Sequence, residues 1–434
     1  MSNICDCFRM QEMSWGLDRL QREARRAAGW LATALGFTIP IWVVADSILV
    51  ILLVACWGVS GKWRERGRRV ISNPVGLSAL LLFGWLLVGT LWGMGSLGER
   101  MLAVKKYADL LLIPLLASMA IDAQERHRAI LALAASLIVT LMLSLAFSGG
   151  GLPAGWVINC DSSTPCAFPK PTTCDSSNPC IFKKHTTHNI LMAFGVLLFG
   201  VLAWKSSRRW VRWGWAGASC LAAGYVLLMV QGRTGCVVLA GLAMVAFHMY
   251  FGWRGMVAAV VAISVTFSAA YQVSTSFHDR VDLVATGVAQ WNPQTATYDG
   301  VTERMEFFHY TVEIIQDHPL MGVGTGGFTQ AYALHVQKLG LPVPTHPHNQ
   351  YLLVMVQVGI VGFGLLFWLF VQQWRSAFLV GDASYGLLAR GLVVTIAIGC
   401  LFQPALNDHT EKLFYCLFSG LMYSGTDPQP DGRT

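Results

Sequence analysis

Apolar residues run through this chain in long blocks, separated by short polar turns and by two longer polar segments. A helix needs roughly 20 apolar residues to cross the ~30 Å hydrocarbon core of a bilayer. The pattern therefore predicts an all-α polytopic membrane protein with about twelve transmembrane helices. The blocks cover residues 29–43, 45–59, 74–93, 101–121, 129–147, 188–204, 214–230, 235–251, 256–272, 349–372, 389–403 and 413–424. Pro40 and Asp46 interrupt the first two, which form either one broken span or a hairpin.

Composition supports a membrane protein and argues against a nucleic-acid partner. Hydrophobic residues make up 54% of the 434 positions and charged residues only 13%, whereas soluble domains carry roughly 25% charged residues. The formal net charge is +7, but the positive residues lie mostly in short loops between apolar blocks. Membrane lipid is therefore the expected surrounding partner.

The basic loops give the orientation. Lys62–Arg69 carries five Lys or Arg residues, and Arg126–Arg128 and Lys205–Arg212 are also basic. Because such loops stay in the cytoplasm, both termini are expected there, and the segments 148–187 and 273–348 are expected outside. The predicted organisation is a cytoplasmic segment 1–28, helices 29–147, a Cys-rich loop 148–187, helices 188–272, a large partly helical loop 273–348, helices 349–424 and a cytoplasmic tail 425–434.

The first outer loop contains a tandem repeat of 14 residues, in which each unit carries two cysteines. Disulfides are the usual state of paired cysteines outside the cytoplasm. We expect two disulfides among the four cysteines, most simply one within each unit, although the spacing does not fix the connectivity. The candidates are Cys160, Cys166, Cys174 and Cys180.

The second outer loop carries a helical pattern followed by glycines. From Val301 to Gln316 apolar residues recur on one side, with Arg304 at their edge, which predicts an amphipathic helix. The turn Gly322–Gly327 matches neither a P-loop nor a dinucleotide motif. It is interpreted as a flexible turn before a short helix at about 328–338, with amides that could help to position an anion.

Cations and histidines gather on the predicted outer face. Arg100, Lys105, Arg233, Arg280 and Arg304 all fall there. Snorkelling to lipid phosphate is the simple explanation for a single cation, but several together match a diphosphate, which arginine binds bidentately.

The histidines lie just before the apolar block 349–372. His346 and His348 precede Asn349 there, and a neutral His can accept a proton from a hydroxyl. Asn349 could orient an imidazole, bind the acceptor or cap the following helix.

Three passages resemble the O-antigen ligase and polymerase superfamily. Arg304 followed by His318-Pro-Leu-Met-Gly-Val-Gly resembles the Arg and His-Pro-Leu-x-Gly-x-Gly pattern of the family. His348-Asn349-x-x-Leu resembles its His-Asn-x-x-Leu signature, and Gln231-Gly-Arg-Thr resembles its outward Arg. The resemblance implies a GT-C-like fold in a bacterial inner membrane with a periplasmic active site. It also implies metal-independent, cofactor-free glycan transfer from undecaprenyl diphosphate, with His348 as base and Arg233 and Arg304 holding the diphosphate.

The acceptor distinguishes the members of this family. We expect a ligase, which transfers the glycan to a sugar hydroxyl of lipid A–core, because the chain is compact and lacks a large extra outer domain. The alternatives within the family are an O-antigen polymerase and a protein O-oligosaccharyltransferase. A lipid-linked glycan transporter is an alternative from another class, for which buried charges and inverted repeats are expected.

Overall fold

The computed structural model describes residues 2–119, 121–150, 180–230, 232–292, 300–337, 339 and 341–424, without the side chains of 2–15, 276 and 280. Within these ranges every regular element is helical. Two 3₁₀ helices, Gly89–Trp92 and Ala108–Leu111, follow α4 and α5. The α-helices are α1 Ser2–Thr38, α2 Val43–Val59, α3 Trp63–Ser72, α4 Pro74–Val88, α5 Leu97–Tyr107, α6 Leu112–Ser118, α7 Ala123–Ser148, α8 His185–Lys205, α9 Arg209–Leu228, α10 Arg233–Val273, α11 Thr275–Gln290, α12 Thr302–Asp317, α13 Phe328–Val336, α14 Gln350–Ser376, α15 Ala383–Phe402 and α16 His409–Met422.

Six of the described helical segments are long and apolar enough to cross a membrane, or seven if α2 and α3, which are bent by 115°, count as one span. The six are Pro74–Trp92, α7, α8, α10, α14 and α15. The described part of the chain is thus all-helical and consistent with a polytopic membrane protein, while the number twelve stays a prediction.

Helix α10 reverses direction near its middle. Gly252 has a φ of +62°, and a Cβ on Gly255 would lie 2.0 Å from the carbonyl oxygen of Phe247. Residues eight apart in a straight helix are about 12 Å apart along the axis. The 41 residues of α10 therefore form two arms, which correspond to the apolar blocks 235–251 and 256–272.

Two other segments differ in detail from the sequence interpretation. Lys62–Arg69 is not a loop, because Trp63–Ser72 forms α3. α1 continues unbroken from Ser2 to Thr38, and it is followed by a tight turn into α2, so the first two blocks form two helices.

Helix α16 is the central element and defines two ends of the molecule. Its residues from Thr410 to Met422 are buried. At one end, the Lys412 end, Lys412 Nζ donates to the Lys106 carbonyl at 2.9 Å. At the other, the Tyr423 end, Asn73 Nδ2 donates to the Tyr423 carbonyl at 2.9 Å. Fourteen residues at about 1.5 Å each separate the two ends by roughly 20 Å.

A second, smaller core lies beside the first half of α14. Phe307, Ile314 and Tyr332 belong to it, together with Val323 of the glycine turn and Leu353 of α14. The predicted helices at 301–316 and about 328–338 are confirmed as α12 and α13. Their apolar faces build this core, which supports the polypeptide leading into α14.

Candidate functional site

His346 and His348 form a paired unit at the start of α14. Their ring centroids are 4.4 Å apart in an edge-to-face arrangement, and the His348 amide donates to His346 Nδ1 at 3.3 Å. The His348 ring is parallel to Phe307 of α12, with centroids 6.0 Å apart and an interplanar angle of 11°. The imidazole of His348 is therefore held in a fixed plane by a neighbouring ring of the second core.

The backbone of His348 adopts an unusual conformation. Its φ is +54°, in the left-handed region that residues with a Cβ rarely occupy. Such a conformation costs on the order of 1–3 kcal/mol and persists only where the surroundings impose it. The stacking on Phe307 and the contact with His346 supply that constraint, so the loop holds the imidazole where relaxed backbone would not.

Three cations surround the histidine pair. Burial lowers the pKa of His348 to about 4, with further contributions from Arg304 and Lys184. Burial lowers the pKa of His346 to about 3, helped by His348, Lys106 and Lys184. Both imidazoles are consequently neutral at pH 7 and able to accept a proton, in a field that favours an anion.

Arg304 is the predicted diphosphate-binding residue whose surroundings agree best with that role. It is half-buried on the first turn of α12, and burial lowers its pKa while Glu303 partly offsets this. A half-buried guanidinium retains its charge and its planar set of five N–H donors. It is therefore suited to bind two phosphate oxygens beside His348.

Arg233 is the first residue of α10, next to the start of α8. Asn189 of α8 donates from Nδ2 to the carbonyl of Gly232, and a Cβ on Gly235 would lie 2.4 Å from the Asn189 side chain. Lys184, whose charge acts on both histidines, immediately precedes the same end of α8. The structure thus brings the start of α10 beside one of the cations of the histidine site.

Other predicted residues have structural partners. Asn349 caps α14, since its Oδ1 accepts from the Leu352 amide at 3.0 Å, and its Nδ2 donates to the Leu401 carbonyl at 3.1 Å. Arg100 donates to the carbonyls of Gly95 at 2.7 Å and Thr90 at 3.1 Å. Asn349 thereby fastens α14 to α15, and Arg100 binds the turn before its own helix.

The remaining predicted residues are less well defined. Lys105 is exposed, and it is the neighbouring Lys106 whose charge acts on His346. The side chain of Arg280 lies outside the described part, as do Cys160, Cys166 and Cys174. Cys180 is buried and disulfide-bonded.

The glycine turn is rigidly docked, not flexible. Its amides at Val323 and Gly324 donate to the carbonyls of Val356 and Gln357 at 2.8 Å. The Thr325 amide donates to Gly89 at 3.0 Å, and its hydroxyl donates to the Leu86 carbonyl at 2.6 Å. These three amides bind protein carbonyls, so they are not available to hold an anion.

The turn fits a break in α14. Gly359 has a φ of +66°, and the Ile360 amide donates to the Pro319 carbonyl at 3.0 Å. A Cβ on Gly359 would lie 2.0 Å from the Leu320 carbonyl oxygen. The two backbones approach so closely that both the turn and the break contain glycines. The contact also ties the segment after α12, which precedes the histidines in the chain, to α14, which follows them.

Buried polar groups form hydrogen bonds among the helices next to the histidine loop. The Tyr107 hydroxyl is within 3.2 Å of both Gln350 Nε2 and Gln357 Oε1, and Gln350 Oε1 accepts from the Leu406 amide at 3.0 Å. Gln403 donates to Glu411 at 2.8 Å, and Thr187 donates to the same carboxylate. The first group joins α5 to α14, and the second joins α8 to α16, both at the Lys412 end.

Several site residues were missed by the sequence analysis. Lys106 and Lys184 supply charge, and Phe307 supplies the ring against His348. Lys183 and Lys184 lie just before an apolar block on the predicted outer face. They are therefore cations at the outer membrane boundary, like Arg233, and this position could have indicated the site. No sequence signal indicates the stacking of Phe307 on His348.

Comparison with known proteins connects part of the chain to a protein family. Residues 218–367 match the family model described as O-antigen ligase, and no curated protein sequence matches the chain. The matched segment runs from within α9 to within α14 and includes Arg233, Arg304, His346 and His348. The resemblance to the O-antigen ligase and polymerase superfamily is thereby confirmed for the part of the chain that carries all three motifs.

Proposed function

We propose that this protein is an O-antigen ligase that transfers a glycan from undecaprenyl diphosphate to a sugar hydroxyl of lipid A–core. The observation that carries the proposal is the neutral His346–His348 pair, held against Phe307 and surrounded by Arg304, Lys106 and Lys184. A base beside clustered cations suits a reaction in which a hydroxyl loses a proton while a diphosphate leaves.

In the proposed reaction His348 takes the proton of the acceptor hydroxyl. The oxygen attacks the anomeric carbon of the donor from the side opposite the diphosphate, and the bond from that carbon to the diphosphate oxygen breaks. An α-linked donor therefore gives a β-linked product without a covalent enzyme intermediate. Negative charge grows on the leaving diphosphate, and groups already oriented toward that charge lower the barrier.

Arg304, Arg233 and Lys184 are the proposed diphosphate ligands, and Lys106 adds positive charge near His346. Burial, together with the charges of Arg304 and Lys184, makes His348 a weak base in the free protein, with a pKa of about 4. A bound diphosphate would offset their field and raise that pKa. The base would thus become stronger once the donor is in place. No metal or cofactor takes part in this proposal.

We further propose a GT-C-like arrangement of twelve membrane passages in the bacterial inner membrane, with the Lys412 end facing the periplasm. The reversal of α10 at Gly252 supports two passages for this helix. The basic segments on α3 and at the start of α7 lie at the opposite end, as the positive-inside rule requires.

The test is a reconstituted reaction. Purified protein in bilayers receives undecaprenyl-diphosphate glycan together with either lipid A–core or a second glycan-charged lipid, and products are identified by mass spectrometry. Glycosylated lipid A–core supports the ligase. Lengthened glycan on the lipid carrier would identify a polymerase, glycosylated Ser or Thr in an added periplasmic protein would identify a protein transferase, and donor translocation without transfer would identify a transporter.

A further inference from the structure

A basic pocket lies at the Tyr423 end, on the opposite side of the molecule from the histidines. It has a volume of about 620 Å³ and is formed by α1, α3 and the end of α6. Arg25 Nε donates to the Met119 carbonyl at 2.8 Å, and the Ile121 amide donates to Ser424 Oγ at 2.7 Å. These contacts place the pocket roughly the length of α16 away from the candidate active site.

The pocket has more positive than negative charge. Six cations and two acidic residues line it. Arg25 pairs with Glu125 at 2.7 Å, Arg26 pairs with Glu23 at 3.1 Å, and Arg69 pairs with Glu65. The cations without an ion pair in the described part of the chain are Arg22, Lys62 and Arg66, against which Asp18 is the remaining acidic residue of the lining.

Arg66 is fixed in the wall of this pocket. Its side chain is only 6% exposed, Nη1 donates to the Trp57 carbonyl at 2.6 Å, and Nη2 donates to the Ser60 hydroxyl. These bonds use two of the five N–H donors of a guanidinium. A buried guanidinium without a carboxylate partner is costly, and an anion in the pocket would compensate that cost.

The surroundings of the pocket suit a membrane interface. Gly61 and Lys62 both have left-handed backbone, and α3 bends away from α2 by 115°. Trp63 and Ile71 of α3 are 54% and 69% exposed, and Trp63 packs edge-to-face on Trp57 with centroids 4.8 Å apart. Indole side chains favour the level of the lipid headgroups, so the pocket opens where phosphates of the bilayer are found.

From this combination we propose that the pocket between α1 and α3 binds the phosphate of an anionic phospholipid. The guanidinium of Arg66, together with Arg22 and Lys62, would contact the phosphate oxygens. Basic pockets between helices at the cytoplasmic surface recognise anionic headgroups by this chemistry. The lipid would connect α1 to α3 by bridging Arg22 on one helix to Arg66 on the other.

The test compares two pairs of substitutions on the full-length protein in neutral detergent. Native mass spectrometry measures binding of dioleoyl phosphatidylglycerol, with dioleoyl phosphatidylcholine as the uncharged counterpart. The pocket variant is Arg22→Gln with Lys62→Gln, and the matched control is Arg64→Gln with Arg68→Gln, exposed residues of α3 that do not line the pocket. We expect the pocket variant to weaken phosphatidylglycerol binding on the order of tenfold and the control to leave it unchanged.

Three results would overturn the proposal. Equal losses in both variants would indicate diffuse attraction to the basic surface, and equal binding of the two lipids would show that charge is not recognised. Displacement of the lipid by millimolar inorganic phosphate, with equal stabilisation by phosphate alone, would assign the pocket to a free ion. Because the substituted side chains are exposed in both pairs, unchanged melting temperatures in the absence of lipid should verify that each variant is folded.

Discussion

At the scale of single residues, the candidate site contains a histidine that is kept neutral by burial and by neighbouring cations. His348 combines left-handed backbone, a ring stacked on Phe307 and a pKa lowered to about 4. Each of these would be unnecessary for a residue that only capped a helix, and Asn349 already fulfils that function for α14. The two adjacent residues thus have different tasks.

The first prediction compares the two histidines. His348→Ala should lower the transfer rate by about 10²–10⁴-fold, the range for a lost general base, while donor affinity changes little. His346→Asn should retain most of the rate, because an amide oxygen can still accept from the His348 amide. Both rates are measured in the reconstituted ligation assay, with donor binding measured in parallel. If His348→Ala kept its rate while His346→Asn lost it, His346 would be the base and His348 the supporting residue.

The second prediction concerns pH. Because the proposed reaction uses the neutral form of His348, kcat/KM should fall as pH decreases through its pKa of about 4. Arg304→Gln removes a positive charge that lowers this pKa, so the acid limb should move upward toward pH 6.5. Arg254→Gln, an exposed change near the reversal of α10, serves as the control. An unmoved limb in Arg304→Gln would mean that another group titrates.

The sequence analysis identified site residues that belong to short sequence motifs and missed site residues that do not. His348 and Arg304 stand in short ordered patterns, and both lie together in the structure. Lys184 acts on both histidines and Lys106 acts on His346, but they lie before α8 and on α5, far from the histidines along the chain. Nothing in a single sequence shows that the end of α5 and the start of α8 lie near the histidine loop, because that proximity is created by packing around α16.

At the scale of elements, the docking of the glycine turn into the break of α14 organises the site. α12 and α13 could be predicted, because an amphipathic period and a following glycine cluster are local signals. The break at Val358 and Gly359 lies inside an apolar block. Hydrophobic patterning continues through it unchanged, so only the structure shows that the helix is interrupted.

The third prediction tests this docking. Gly359→Ala should lower the apparent free energy of unfolding by about 2 kcal/mol or more, because a Cβ would clash with the Leu320 carbonyl and φ is +66°. Gly364→Ala, in the same helix with open space around its Cα, should have no such cost. Thermal unfolding in detergent measures both. Similar melting temperatures for the two variants would contradict the described contact.

At the scale of the whole molecule, the histidine site and the basic pocket occupy opposite ends. The Lys412 end carries the cations around His348, while the Tyr423 end carries the basic segments of α3 and α7. Apolar blocks and alternating basic loops predicted this division. The reversal of α10 and the central position of α16 are consequences of packing that hydropathy does not reveal.

The fourth prediction is that the two ends face different compartments. A cysteine at Val343, in the loop before the histidines, should react with a membrane-impermeant maleimide in cells whose outer membrane is permeabilised. A cysteine at Arg64 of α3 should react only after the inner membrane is opened. The parent protein, with its own cysteines, gives the background. Labelling of Arg64→Cys in cells with an intact inner membrane would reverse the orientation.

The bond from the Thr325 hydroxyl to the Leu86 carbonyl spans 239 positions of the chain, which has a consequence for synthesis in the cell. Ribosomes add roughly 5–20 residues per second. The interval between synthesis of Leu86 in α4 and synthesis of Thr325 is therefore on the order of tens of seconds. During that time the Leu86 carbonyl and the glycines that follow it must be covered by lipid, by other helices or by insertion machinery. The loop that carries the histidines can reach its folded position only late in translation, and a nascent chain that stops before the glycine turn lacks this docking contact.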